Sequence, residues 1–200
     1  MNATLQARSD FNVIARWIPQ NARVLDLGCG DGSLLQFLTQ TRGVHGYGVE
    51  ISPENIVACV RNGVNVIQDD LETGLAEIET DSFDFVILSQ TLQAMRHTEA
   101  IVDEMLRVGR QAIVTFPNFG YWRNRLAVAR GNMPVSENLP YEWYDTPNVH
   151  LCTIDDFERF CAKRKVHICE RVVLNDGSEV ATLPNLFGQL AVYRFERFAA

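Results

Sequence analysis

Apolar positions along the chain switch repeatedly between a helical and a strand period. Phe11, Ile14, Ala15 and Ile18 fall on one helical face, with Ser9 as the expected cap and Pro19 as the stop. The short apolar run Arg23 to Leu27 predicts a strand, and Leu34, Leu35, Phe37 and Leu38 predict a helix over 33–39. A strand over 45–49, a helix over 53–61 opened by Pro53, and a strand over 64–67 continue the alternation. Phe83 to Ser89 and Gln111 to Phe116 are almost continuously apolar, as strands covered on both faces are, and a helix over 98–107 lies between them. Thr153 and Asp156 form a capping-box pattern for a helix that turns Ile154, Phe157, Phe160 and Cys161 inward. Two closing strands, 166–174 and 190–197, follow one another past the turn Asn175-Asp176-Gly177 and are expected to pair antiparallel. The pattern predicts one α/β domain over 1–200, Rossmann-like, with a mostly parallel sheet covered by helices on both faces and an irregular insertion over about 118–150.

One turn interrupts this alternation with chemistry. Val24-Leu25-Asp26-Leu27-Gly28-Cys29-Gly30-Asp31-Gly32 runs from an apolar strand into a helix through three alternating glycines, which accept positive φ and let a ligand reach the main chain. A dinucleotide fingerprint needs glycine or alanine where Ser33 stands. Asp26 would repel a pyrophosphate and attract an ammonium group. Glu50 closes the next strand, where a carboxylate accepts two ribose hydroxyls, and Asp69-Asp70-Leu71 follows the third, where an acid and a neighbouring N–H read an adenine amino edge. A nucleoside with positive charge and no phosphate fits this set, and S-adenosylmethionine, or its product S-adenosylhomocysteine, has that chemistry. The candidate cofactor residues are Asp26, Gly28, Cys29, Gly30, Gly32, Glu50, Ile51, Asp70, Leu71, Ser89 and Gln90. Each acid has a plainer alternative: Asp26 as a brace for its loop, Glu50 as a solvated strand end, Asp70 as a helix cap. Cys29 reads as a small packing residue rather than a reactive thiol.

Composition narrows the picture. A chain of 200 residues with 46% hydrophobic content buries a sizeable core and shows no linker or repeat. A net charge of −7 argues against a general nucleic-acid binder. No apolar run approaches the roughly 20 residues of a membrane span, and the start lacks a leader pattern, so a cytoplasmic protein is expected. Five cysteines without a C-x-x-C are expected to be reduced thiols. His150-x-Cys152 and His167-x-Cys169 form no visible ligand cluster, and no metal is expected.

The insertion concentrates the remaining signals. Phe119, Tyr121, Trp122, Tyr141, Trp143 and Tyr144 line a substrate pocket, a partner surface, or the lid's own core, with Asn118, Trp122, Trp143, Tyr144 and His150 as candidate lid or partner residues. Arg123, Arg125 and Arg130 beside it suit an anionic substrate or an acidic partner, whereas Arg159, Lys163, Arg164 and Lys165 read as a solvated helix face. His150 reads as a hydrogen-bonded structural residue, and no catalytic residue is assigned.

Through Asp26-Leu-Gly28-Cys-Gly30-Asp-Gly32, Glu50 and Asp70 nearly the whole chain resembles the class I adenosylmethionine-dependent methyltransferases. More narrowly it resembles the MetW family of bacterial methionine biosynthesis, through Val86-Ile-Leu-Ser-Gln-Thr-Leu-Gln93, Phe116-Pro-Asn-Phe-Gly120 and Trp143-Tyr-Asp-Thr-Pro-Asn-Val-His150. The resemblance implies seven strands in the order 3-2-1-4-5-7-6 and a role beside MetX, the homoserine O-acyltransferase of that pathway. The segment Ser89-Gln90-Thr91 lacks the Asn/Asp-Pro-Pro-aromatic tetrad with which relatives grip amide and base nitrogens. Two functions stay open: an adenosylmethionine-binding accessory subunit of the acyltransferase, and a methyltransferase acting on a small metabolite. An NAD-binding domain is a weaker third.

Overall fold

The computed structural model describes residues 8–198. Strands β1 (Arg23–Leu27), β2 (His45–Glu50), β3 (Asn65–Gln68), β4 (Phe83–Ser89), β5 (Gly109–Pro117), β6 (Val166–Asn175), β7 (Ser178–Glu179) and β8 (Leu190–Arg197) form one sheet in the order β3-β2-β1-β4-β5-β8-β6-β7. β1 to β5 are parallel, while β8 runs antiparallel between β5 and β6. With the two-residue β7 set aside, this is the expected seven-strand order. The added eighth strand is the far arm of the hairpin at Asp176-Gly177, too short to show an alternation in sequence.

Period-two alternation sends the side chains of the central strands into two separate cores. Leu25, Leu27, Val86, Leu88, Val114, Phe116, Tyr193 and Phe195 meet helices α4 (Thr98–Val108) and α6 (Ile154–Lys163) on one face. Val24, Phe85, Ile87, Ile113 and Val192 meet α1 (Ser9–Trp17) and α2 (Ser33–Arg42) on the other, and α3 (Pro53–Arg61) adds Cys59 there. The capping box of α6 is present, Thr153 accepting from the Asp156 N–H while Asp156 accepts from the Thr153 N–H. α1 departs from expectation at its start. Ser9 is its first residue, Arg8 takes the cap position, and no side chain caps the helix.

The 118–150 segment is not wholly irregular, since α5 (Trp122–Ala129) forms within it. Its apolar Trp122, Leu126 and Val128 are exposed, so no core-facing stripe marked it as a helix. α7 (Pro184–Phe187) completes the elements. No helix among the described residues is long and apolar enough to cross a membrane, and all five cysteines are free thiols.

β1 is the switch point of the sheet: the chain moves outward to β2 and β3 on one side and returns to β4 on the other. The crevice at the carboxyl ends of β1 and β4 is where such sheets take ligands.

Candidate functional site

The glycine loop after β1 is held from several sides. The Gly28 and Cys29 N–H groups donate to the Val49 carbonyl at 2.8 and 3.1 Å, and the Gly30 N–H donates to Glu50 Oε2 at 2.9 Å. Gly28, Gly30 and Gly32 all have positive φ. A Cβ built on Gly30 meets nothing within 4 Å, so this position opens onto free space over which a ligand can approach the backbone. Cys29 is 9% exposed and packs against β2, where a Cβ on Gly48 would stand 2.3 Å from its Sγ. Burial first, then the Asp26 charge, pushes the Cys29 thiol far above its usual range, which keeps it protonated and fits a packing role.

The start of α2 is already occupied electrostatically. Asp31 Oδ1 accepts from the Ser33 N–H at 3.0 Å and from Ser33 Oγ at 2.5 Å, so a carboxylate sits where a dinucleotide would place its pyrophosphate. Phosphate is disfavoured there by the protein's own charge.

Asp26 is 2% exposed, and its Oδ1 has no hydrogen-bond partner among the described residues. Burial pushes its carboxyl from the usual 3.8 to about 7, opposed by Arg8 and reinforced by Glu50. This raised value sets a sign for stability. The folded protein holds a proton that the unfolded chain has lost, so Asp26's contribution is complete below pH 3.8 and disappears as pH rises through about 7. Asp26→Asn is therefore expected to gain stability relative to the parent between pH 5 and 8, measured by urea denaturation without ligand. A pH-independent difference contradicts the assignment.

Glu50 is no solvated strand end. It is 8% exposed, with Oε1 accepting from the Ile51 and Ser52 N–H groups at 3.0 and 2.9 Å while Oε2 holds Gly30. Capacity for one further donor remains on Oε2. Ile51 beside it is 57% exposed. Asp70 is half-buried and caps a 3-10 turn over Leu71–Thr73 through the Glu72 N–H at 2.9 Å, and Leu71 packs on the core covered by α4 and α6. At the exit of β4, Ser89 Oγ lies 3.2 Å from Thr115 Oγ1, and Gln90 adopts φ 53°, a strained conformation pinned by its N–H on Thr115 Oγ1 at 3.0 Å. All eleven candidate cofactor residues come from the carboxyl ends of β1 to β4 or the turns that follow them.

One residue here was missed by sequence reasoning. Arg8 Nη2 donates to Asp10 Oδ2 at 2.6 Å and to Ser89 Oγ at 3.0 Å, which carries a cation from the start of α1 to the end of β4. Its only sequence signal is position, two residues before an aspartate on the inward face of an amphipathic helix.

The candidate lid residues separate into two groups. Asn118 lies beneath the lid, not on its surface: it is 1% exposed, donates from Nδ2 to the Asn185 and Gly188 carbonyls at 3.1 and 2.9 Å, and accepts on Oδ1 from the Gly120 N–H at 2.9 Å. It ties β5 to α7 because a buried amide satisfies donors and acceptors together. Asn118→Asp puts an acceptor opposite those two carbonyls, and a loss of about 3 kcal/mol is expected in thermal or urea denaturation, against a near-neutral result if the amide is dispensable. His150 Nε2 lies 3.3 Å from the Arg96 carbonyl and, with Val149, donates its N–H to the Gln93 carbonyl, a structural arrangement. Trp122, Trp143 and Tyr144 are 40%, 72% and 71% exposed, the last two edge-to-face at 5.7 Å. Of the basic groups, Arg123 lies over the Trp122 ring and lines a cavity of about 350 Å³ with Tyr121, Asn124, Leu139 and Gln189. Arg164 bridges to Glu99 and Asp103 of α4 and so staples two helices rather than facing only solvent.

A ligand-type cluster that the sequence did not reveal joins His167, Cys169 and Glu196, their donor atoms within 4.8 Å of one another. It lies at the opposite end of the sheet from the cleft, assembled by the pairing of β6 with β8.

A family model described as MetW, methionine biosynthesis protein MetW, matches residues 8–195. The bifunctional methionine biosynthesis protein MetXA/MetW of Rhodopirellula baltica is 37% identical over 202 residues, which cover 94% of this chain and 32% of that protein. The chain thus spans about a third of the length of that curated relative. Among solved structures, an S-adenosylmethionine-dependent methyltransferase from Mesorhizobium loti superposes with a TM-score of 0.70 at 16% identity, over 96% of this chain and 99% of that one. The [4+2]-cyclase SpnF superposes with a TM-score of 0.68 at 15% identity, over 95% and 81%. At these identities the likeness to solved structures is one of fold.

Proposed function

Because the chain belongs to the MetW family of methionine biosynthesis proteins, we propose that it is an adenosylmethionine-binding accessory or regulatory subunit of a homoserine O-acyltransferase, MetX. The observation that carries the ligand is the buried Asp26 carboxylate, whose Oδ1 has no partner among the described residues, beside a glycine whose missing side chain leaves open space. Adenosylmethionine, when bound, supplies a sulfonium-activated methyl group and a fixed positive charge.

The residues fit that group. Asp26 would face the ammonium end, the Gly28 to Gly32 loop would let the ligand lie against the main chain, and Glu50 would offer its remaining acceptor capacity to the ribose hydroxyls. Asp70 and Leu71 would border the base, and Ser89 and Gln90 the reactive end. Because Asp26 must be ionised to hold an ammonium, affinity is expected to rise with pH up to about 7 and level off above it.

The accessory role rests on the Rhodopirellula relative, whose name joins MetXA and MetW in one protein. The exposed Trp143 and Tyr144 suit a contact surface, since aromatic side chains are enriched at interfaces. Adenosylmethionine lies downstream in the same pathway, so a ligand that prefers one state of the complex shifts it in proportion to that preference. Titrating adenosylmethionine against the purified chain and acyltransferase, while following acyl transfer and subunit affinity, tests this. A change in either is the expected result, and no change in both contradicts it.

The cavity beside α5 favours a second reading, a methyltransferase acting on a small metabolite admitted there. Turnover of labelled adenosylmethionine in a metabolite extract separates the two.

A further inference from the structure

We infer that His167, Cys169 and Glu196 form a zinc site that clasps strands β6 and β8 at the end of the sheet opposite the cleft. The site stands apart from the cleft and from any ligand bound there.

Strand pairing and one irregularity bring the three side chains together. Val166 and Ile168 of β6 and Phe195 of β8 pack into the core under α4 and α6, so the period of two turns His167, Cys169 and Glu196 to the other face. His167 pairs directly with Glu196 and Ile168 with Phe195, but the next pair joins Glu170 to Arg194. Cys169 is therefore the extra residue of a β-bulge, lying with Glu170 opposite Arg194. One imidazole nitrogen, the cysteine sulfur and one carboxylate oxygen come within 4.8 Å of one another.

The carboxylate is already oriented, and the other two donors are free to turn. Gln111 Nε2 of β5 donates to Glu196 Oε2 at 2.8 Å, Gln111 Oε1 accepts from Arg194 Nη1 at 2.8 Å, and Arg194 pairs in turn with Glu170. Outer partners hold metal-binding carboxylates in this way. Glu170 also meets the Arg194 charge, which would otherwise oppose a cation. The His167 imidazole has no hydrogen-bond partner among the described residues and touches the Phe198 ring edge-to-face at 6.0 Å, while Cys169 Sγ reaches the His167 carbonyl at a long 3.9 Å.

The donor set selects the ion. Nitrogen, sulfur and oxygen ligands together suit zinc, whereas magnesium and calcium keep to oxygen. A thiolate and a carboxylate balance its charge. His167 is exposed and the other two are half-buried, so water completes a tetrahedral site of three protein ligands. Binding forms a Zn–S bond as the Cys169 S–H breaks, and the proton passes to solvent.

The full chain, stripped with a chelator, is titrated with zinc against a chromogenic competitor and separately with cobalt(II) as a spectroscopic substitute. One equivalent is expected to bind with a Kd of about 1 µM or tighter, weaker than closed four-ligand sites. The cobalt form should show a sulfur-to-metal charge-transfer band. Cys169→Ser is expected to lose that band and about 100-fold or more in zinc affinity, and His167→Gln a similar affinity, since loss of an outer partner alone costs about 10- to 100-fold. Cys152→Ser, at the other His-x-Cys pair, should match the parent. Zinc at about 100 times Kd should raise the parent's melting temperature by about 5–10 °C, and metal-free variants that melt near the parent report an intact fold. Absence of saturable zinc binding in the parent overturns the inference, as does parent-like affinity in both Cys169→Ser and His167→Gln, or a cobalt form without the sulfur band.

Discussion

Glu50→Gln should weaken adenosylmethionine or S-adenosylhomocysteine binding by about 100-fold or more, because hydrogen bonds to a charged acceptor are worth roughly 1.5–3 kcal/mol each and the substitution disturbs several at once. The two carboxylate oxygens face N–H groups on opposite sides: Ile51 and Ser52 on one, Gly30 on the other. An amide in the same place must turn its NH₂ toward one of these, setting donor against donor. If the amide faces Gly30, the glycine loop loses one of its three ties to β2, the other two being the Gly28 and Cys29 N–H groups on the Val49 carbonyl, and the surface that would receive a ligand shifts with it. If it faces Ile51 and Ser52, the start of α3 loses its anchor, since Ser52 caps that helix through the Asn55 N–H. Stability should fall as well, by about 2 kcal/mol, the usual cost of leaving buried donors unpaired. Calorimetric titration and a thermal melt of the same variant read the two effects. Parent-like affinity in a folded Glu50→Gln protein means that Glu50 is structural only.

The largest loss of stability is expected from Phe157→Ala, at about 3–5 kcal/mol in urea denaturation. Phe157 is 3% exposed, and its ring centroid lies 4.7 Å from Tyr193, 5.0 Å from Phe116 and 6.1 Å from Phe195. It is the one aromatic of α6 that reaches into both β5 and β8. Truncation would open a cavity in the layer joining the parallel half of the sheet to its antiparallel end. The surrounding rings come from two adjacent strands, β5 and β8, and are already packed against one another, Phe116 and Tyr193 stacking at 5.9 Å, so they have little room to close the gap. Phe160, one turn on and half-buried, is the control and should cost less than half as much. A loss under about 1.5 kcal/mol for Phe157→Ala would place the energetic centre of the fold elsewhere.

Much of this architecture is legible in the chain, for a physical reason. Strands such as Phe83–Ser89 are covered on both faces and therefore almost continuously apolar, and helices packed on one face carry a stripe. The glycine turn and the acids at successive strand ends are legible because a backbone at positive φ and a buried carboxylate restrict residue choice severely. What stayed hidden depends on distant partners. Asn118 in Phe116-Pro-Asn-Phe-Gly120 reads as a turn residue, yet its amide is buried because Asn185 and Gly188 arrive from 67 and 70 residues away. Arg8 acquires its place only when Ser89, 81 residues on, lies beneath it. His167, Cys169 and Glu196 meet because of strand pairing and a register shift between Ile168 and Glu170 that periodicity does not announce. The helix α5 was missed for the opposite reason: its apolar side chains face outward, so no buried stripe betrayed it.

The central claim is that the acid-lined cleft at the end of β1 holds a phosphate-free, cationic nucleoside. Calorimetric titration of the purified chain at pH 7.5 with adenosylmethionine, beside NAD as the pyrophosphate-bearing competitor, tests it most directly. Saturable 1:1 binding of adenosylmethionine with no detectable binding of NAD is the predicted outcome. Absence of saturable heat with adenosylmethionine, or equal binding of NAD, contradicts it.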